Sequence, residues 1–278
     1  MPPRGGRGVP DASLLARLRV LFPESSGRAL RQWLADGRVR VDGVVVRDTR
    51  AEVGPDQAVV LAPAGRVAFP APLRLVHADG DLLVIDKPPG LLTIATERER
   101  ERTAYRLLWD YLARRSPPCR PFIVHRLDRE TSGLLVFATS PDVKRDLQEQ
   151  FEARRVERGY VAVVEGRVRA ARGRLSSWLA EPGRDRRRHA ITDYEVLERR
   201  RDATLLALRL GTGRRHQIRV QLAELGHPIV GDRDHGSRHS PIRRLCLHAT
   251  RLGFVHPGTG EPVRFDSPPP DAFQRVGA

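Results

Sequence analysis

Apolar positions along this chain follow two periods. Leu14, Leu15, Leu18 and Leu21 recur at helical spacing, and a second short helix is predicted from a Ser25/Ser26 cap through Ala29, Leu30, Trp33 and Leu34 to a stop at Gly37. Val39, Val41, Val44 and Val46 then alternate around Asp42-Gly43, a strong hairpin signal, and a further strand is predicted near Val59 to Leu61. Two helices and a hairpin make a small module over residues 13–62, with Arg28, Arg31, Arg38 and Arg40 expected near its surface. The proline-bearing stretch 63–72 reads as a linker, and residues 1–12 as a basic, disordered tail without the apolar segment of a signal peptide.

Residues 73–278 carry a different pattern. A hairpin is predicted about Asp79-Gly80-Asp81, its second strand, Leu82 to Lys87, stopping at Pro88-Pro89-Gly90, since proline cannot donate to a ladder. Ala104, Leu107, Leu108, Tyr111 and Leu112 share a helical face that Ser116-Pro117-Pro118 closes. Leu134, Leu135, Val136 and Phe137 form the short apolar run of a buried strand, and Ser140-Pro141 caps a helix whose inward face is Val143, Leu147 and Phe151. Strands are predicted at Tyr160 to Val164, Ile191 to Leu197, Ala203 to Leu210, Leu245 to Phe254 and Pro262 to Phe265, with a helix from near His216 to Gly226. Many strands, several joined as hairpins, and few helices predict an α+β domain around a mixed, mainly antiparallel sheet.

Charge changes the picture of the surface. The net charge is +15 and the pI about 11.2, with Lys87 and Lys144 the sole lysines, so the excess is arginine. Guanidinium forks match phosphates and stack on bases, which points to a nucleic-acid partner. The run Arg184 to His189 reads as a solvated loop placed to touch phosphates. Cys119 and Cys246 are far apart and outside any CxxC pattern, and no histidine pair has HExxH spacing, so a disulfide framework and a zinc site are not expected. No apolar run approaches a membrane span, and a cytoplasmic protein is expected.

The stretch with the most chemistry is Ile123 to Ala138, IVHRLDRETSGLLVFA. Asp128 stands between Arg126 and Arg129 and just before the buried strand, and nearby cations favour an ionised carboxylate. On these residues alone, the pattern reads as a surface ion pair rather than a reactive acid. HRLD is not the HRD of a kinase loop, Gly211-Thr212-Gly213 lacks the third glycine of a dinucleotide fingerprint, and no GxSxG elbow occurs.

Four blocks taken together reverse that reading. HRLDRETSGLLVFA, RVERGYVAVVEG, LGTGRRHQIRVQLAELGHPIVGD and LCLHATRLGFVHP, in this order, resemble the successive blocks of the RluA-type pseudouridine synthases over residues 73 to 275. RALRQWLADGRVRVDGVVV resembles the S4 RNA-binding domain, in which the second helix and the following turn face RNA. The resemblance implies the pseudouridine synthase fold and an enzyme that breaks the C1′ to N1 bond of uridine and rejoins the base through C5, with no cofactor and no metal. By it, Asp128 matches the essential aspartate, Tyr160 the tyrosine that packs on the base and helps remove the C5 proton, and Arg219 the arginine paired with the aspartate. Arg126 matches an arginine that fills the space left by a flipped base, while Arg28, Arg31, Arg38, Arg214 and Arg215 are expected to contact RNA. His125, His216 and His248 are assigned to packing and hydrogen bonding.

The chain departs from the family's usual residues at Gly159, Arg215, Gln221 and His235, which bears on RNA specificity rather than on the chemistry. The implied substrate is structured RNA, large-subunit ribosomal RNA first and transfer RNA as the alternative, acted on by a monomer. The competing class is a silent RNA-binding or ribosome-assembly protein, against which the joint presence of Asp128, Tyr160 and Arg219 argues.

Overall fold

A two-residue strand, β1 (Ala12–Ser13), leads into α1 (Leu14–Leu21), whose first turn is capped where Ser13 Oγ accepts from Ala16 N. The structure is a computed structural model and describes residues 12–62, 68–115, 119–180 and 186–277. Residues 1–11 of the proposed tail, the first part of the proposed linker, the Ser116-Pro117-Pro118 stop and the start of the Arg184 to His189 run lie outside them, while Ala12 belongs to β1. The chain divides into two compact units, one reaching Ala68 and including Tyr111–Cys119, the other Phe69–Asp110 with Arg120–Ala278.

In the first unit, α2 (Gly27–Ala35) starts at Ser26, whose Oγ accepts from Ala29 N, an exchange worth about 1 kcal/mol. It ends in Gly37 at φ +68°, the left-handed geometry glycine adopts without strain. β2 (Val39–Val41) and β3 (Val44–Val45) close a hairpin on Asp42 and Gly43, both at positive φ, the turn whose twist matches that of the strands. β4 (Glu52–Val53) pairs with β1, and β5 (Val59–Leu61) with β2. Leu14, Leu18, Leu30, Leu34 and Val39 are fully buried around Trp33. Each contributes about 2 kcal/mol by leaving water.

One expectation here is corrected. Arg28 and Arg31 lie exposed on α2, but Arg38 is buried: its guanidinium sits over the Trp33 ring at 5.6 Å and its Nε donates to Ala62 O at 3.2 Å. An arginine can bury its stem and satisfy its head locally. It therefore serves this module's core and not its surface.

The second unit is built on one large mixed sheet, ten-stranded among the described residues. Its elements are β6 (Arg74–Ala78), β7 (Leu82–Lys87), α3 (Ala104–Ala113, of which Tyr111 onward is counted in the first unit), β8 (Phe122–Ile123), β9 (Ser132–Ala138), α4 (Pro141–Glu152) and β10 (Glu157–Glu165). β11 (Arg172–Ala180), β12 (Arg187–Arg199), β13 (Ala203–Leu210), α5 (Gln217–Glu224), β14 (Leu247–Val255) and β15 (Pro262–Asp266) complete it. The order across the sheet is β11-β12-β13-β10-β14-β9-β7-β6, with β15 also on β14 and β8 on β9. Every pairing is antiparallel except β9 with β14, which touch in parallel over two residue pairs, Ser132 with His248 and Gly133 with Ala249.

β9 is buried along its whole length, as its apolar run requires of a central strand. The helix predicted at Ser140-Pro141 is α4, its cap made by Ser140 Oγ accepting from Val143 N. Besides the two-residue β8, two longer strands differ from the sequence reading. β11 was not expected: its residues alternate between exposed and half-buried, with Leu179 alone buried. β12 begins at Arg187, so Arg187, Arg188 and His189 belong to a strand and not to a solvated loop. Among the described residues, no helix is long and apolar enough to cross a membrane.

Candidate active site

Asp128 sits on the turn before β9, and its backbone is held on both sides. Thr93 Oγ1 donates to Leu127 O at 2.8 Å and accepts from Leu127 N at 3.2 Å. Arg129 O accepts from Gly90 N at 2.9 Å and from Lys87 Nζ at 3.1 Å. Lys87 is fully buried, and the same Nζ also donates to Pro88 O and Leu91 O at 2.9 and 2.8 Å. Burial pushes its ammonium down to about 7 against the pull of Glu130 and Asp128. A buried amine satisfied by three carbonyls ties the Pro88 to Leu91 turn to the Asp128 turn, so the carboxylate projects from a fixed backbone.

That carboxylate enters a cleft of about 750 Å³, which also holds Tyr160, Arg219, Arg126, Arg158 and His216. The volume suits a ligand of nucleotide size. Asp128 itself remains 21% exposed. The register slips between Gly159 and Tyr160, where β14 carries Thr250 as an extra residue, and an irregularity of this kind re-aims the neighbouring side chain. Burial pushes the Tyr160 phenol up to about 12, with Arg158 drawing it down and Asp128 adding to the rise, so the hydroxyl is neutral at physiological pH. Arg158, nine-tenths buried on the cleft wall, has its guanidinium over Phe151 at 5.6 Å, and its Nε has no hydrogen-bond partner among the described residues.

The expected pair of Arg219 with Asp128 is present but long, and the arginine's shortest contacts are to another carboxylate. Its fork is bidentate on Asp232, Nε to Oδ2 at 2.8 Å and Nη2 to Oδ1 at 2.6 Å, and Nη2 also donates to Asp234. Toward Asp128 it turns only Nη1, 3.8 Å from Oδ2. Asp232, its side chain fully buried, also accepts from His235 Nδ1 at 3.0 Å. Burial works to raise the Asp232 carboxyl, but the Arg219 fork and His235 outweigh it and hold it below the usual carboxylate range. The fork thus points Arg219 at the cleft without spending both its nitrogens on Asp128.

Asp232→Asn keeps the shape and removes the charge. Leaving Arg219 buried without its bidentate anion, with only Asp234 and the more distant Asp128 beside it, should destabilise the protein by about 3 kcal/mol, read as a lower melting temperature near neutral pH. Because the folded pKa is depressed, this stabilisation is full above the ordinary carboxylate range and is lost as pH falls through the folded value. Wild type and variant should therefore converge in stability toward acid; a gap that stays constant from neutral pH to pH about 3 would refute the assignment.

His216, assigned with His125 and His248 to packing and hydrogen bonding, packs against a ring and also faces Asp128. It occupies the left-handed region at φ 53° as the N-cap of α5, with Nε2 3.8 Å from Asp128 Oδ1 and its ring edge-on to His235 at 5.5 Å. Burial lowers its pKa, Asp128 opposing. His125 and His248 do pack and bond: His125 Nε2 accepts from Val136 N and its ring stacks on Phe151, while His248 Nδ1 shares a hydrogen bond with Ser132 Oγ at 2.8 Å. Arg126, Arg214 and Arg215 line the cleft, Arg126 and Arg215 exposed. Arg188, on β12, lines it too and was not singled out individually from the sequence.

A family model described as RNA pseudouridylate synthase matches residues 81–224, and one described as S4 domain matches residues 14–59. A ribosomal large subunit pseudouridine synthase D from Xanthomonas campestris is 36% identical over 96% of this chain and 90% of its own length. Its namesake from Pseudomonas aeruginosa is 34% identical over 91% and 87%. Among solved structures, human RNA Pseudouridylate Synthase Domain Containing 1 superposes with a TM-score of 0.58 at 27% identity, over 70% of this chain and 83% of that one.

Proposed function

Since this chain belongs to the RNA pseudouridylate synthase family and carries an S4 domain, we propose that it isomerises uridines of large-subunit ribosomal RNA, with Asp128 as the essential carboxylate. The observation that carries the site assignment is the convergence of Asp128, Tyr160 and Arg219 on one cleft from three separate elements. Asp128 acts at the ribose, either attacking as a nucleophile or removing a proton to give a glycal, and both routes need an ionised carboxylate. Arg219, fixed by Asp232, faces that carboxylate with one nitrogen and orients it.

Tyr160, neutral and on a strand, packs against the base and has a hydroxyl to share in moving the C5 proton. His216, on the other carboxylate oxygen, completes the flanks of Asp128. Flipping a uridine out of a stack costs a few kcal/mol, and Arg126, exposed at the mouth, is placed to fill the gap. The ribosomal target rests on what the two similar bacterial proteins are named for, with transfer RNA as the second candidate. The enzyme works as a monomer in the cytosol without cofactor or metal, and Arg28 and Arg31, exposed on α2, meet the RNA.

The test is tritium release from ribosomal RNA carrying 5-tritiated uridine: release at a defined position is expected, and none from any cellular RNA would leave only the silent binding protein. RNA affinity should also fall at least about tenfold between roughly 50 and 200 mM salt, as phosphate contacts require. A flat salt response would count against an RNA substrate.

A further inference from the structure

β11 and β12 form a hairpin at the edge of the large sheet, and cross-strand partners lie on the same face. One face is occupied by α5: Gln221 Nε2 donates to Ser177 Oγ and to Ala190 O, and Leu179 is buried. On the opposite face Trp178 stands directly across from His189, and Ala180 across from Arg187.

Trp178 is 63% exposed, whereas Trp33 is 6%. Its indole is nevertheless held. It lies on a paired strand, its ring meets the His189 imidazole with centroids 5.2 Å apart, and Ser176 Oγ shares a 2.8 Å hydrogen bond with His189 Nε2. A rigid, exposed indole offers a flat surface with little entropy left to lose on binding.

The neighbours say what would cover it. Arg172, Arg174 and Arg187 lie exposed on the same face, and the first two pair with Glu195 and Asp193. A protein interface with a core would deplete such charges around its aromatic anchor. A base stacked on an aromatic ring with arginines beside it for the backbone is the ordinary form of single-strand recognition. The location agrees: Arg188 lines the active-site cleft while the adjacent Arg187 and His189 lie on the outer face, one residue, about 3.8 Å along the chain, away.

We propose that Trp178, with His189 behind it and Arg187 beside it, is a stacking platform for an unpaired base of the RNA substrate, outside the nucleotide in the cleft. This rests on the reading of the chain as an RNA-modifying enzyme. It adds a contact that acts on a flanking base and takes no part in the chemistry.

The test is fluorescence anisotropy with a short labelled oligoadenylate and with an abasic oligomer of the same length. Trp178→Ala should weaken adenylate binding by about fivefold or more and leave the abasic oligomer within about twofold, while Trp178→Phe, which still stacks, should bind adenylate nearly as wild type. Trp178→Leu, apolar but unable to stack, should behave as the alanine variant. Unchanged adenylate affinity in the alanine and leucine variants, or an equal loss on the abasic oligomer, overturns the platform. Oligoadenylate contains no uridine, so this outcome is independent of tritium release. A wild type that binds adenylate through Trp178 yet releases no tritium would refute the enzyme reading alone.

Discussion

Asp128→Asn is expected to reduce tritium release from 5-tritiated uridine RNA by at least about 10³-fold, while RNA affinity stays within about threefold. The substitution preserves the side chain's shape, and the Asp128 backbone is held by neighbours that do not depend on the carboxylate, namely Thr93 on Leu127 and Lys87 on Arg129. What disappears is the negative charge 3.8 Å from both Arg219 Nη1 and His216 Nε2. An amide can neither attack the ribose nor take a proton from it, so both chemical routes close together. Phosphate contacts dominate RNA affinity in general, and a carboxylate makes none of them. Residual turnover within tenfold of wild type would remove Asp128 from the chemistry and return it to the role of a surface acid. Loss of binding in parallel with loss of activity would show instead that the carboxylate holds the RNA.

The second large effect falls on the frame. Gly133→Ala should destabilise the protein by more than about 3 kcal/mol, lowering the melting temperature by roughly 10 °C, with loss of activity at ordinary temperatures. Gly133 has φ +112°, outside the range of other residues, and a Cβ there would lie 2.2 Å from Ala249 O and 2.6 Å from Ala249 N. Those atoms belong to β14 at the parallel contact with β9, so neither can retreat without parting the strands. Since the Asp128 turn runs directly into β9, parting them would also displace the carboxylate. A variant that melts and turns over like wild type would mean that β9 and β14 do not approach so closely.

Much of this frame could be read from the residues. The leucine spacing of α1, the Ser26 cap of α2, the Asp42-Gly43 turn and the apolar run of β9 each follow from local rules that tertiary structure did not override. Asp128, Tyr160 and Arg219 could be named from their blocks, and the structure brings them to one cleft.

Electrostatic partnership could not be read in the same way. Asp232 lies thirteen residues beyond Arg219, on the far side of the α5 stop, where no helical or strand period links the two. His216 became a neighbour of Asp128 through a left-handed backbone that nothing in its residue type demands. Arg38 looked like a surface charge because it sits between a helix and a hairpin, and only the Trp33 ring beside it shows that it is buried. Apart from the buried Leu179, β11 alternates between exposed and half-buried residues and so lacks most of the contrast that marks a strand.

The place of β14 in the sheet has a consequence for how the enzyme comes into being. The Asp128 turn precedes β9 and Tyr160 lies on β10, yet these two strands are joined only through β14, Leu247–Val255, which lies between them. A nascent chain that has already delivered Asp128, Tyr160 and Arg219 from the ribosome still holds the first two on half-sheets with no strand in common. Messages cut short before codon 247 should therefore yield no partial activity, however complete their list of site residues.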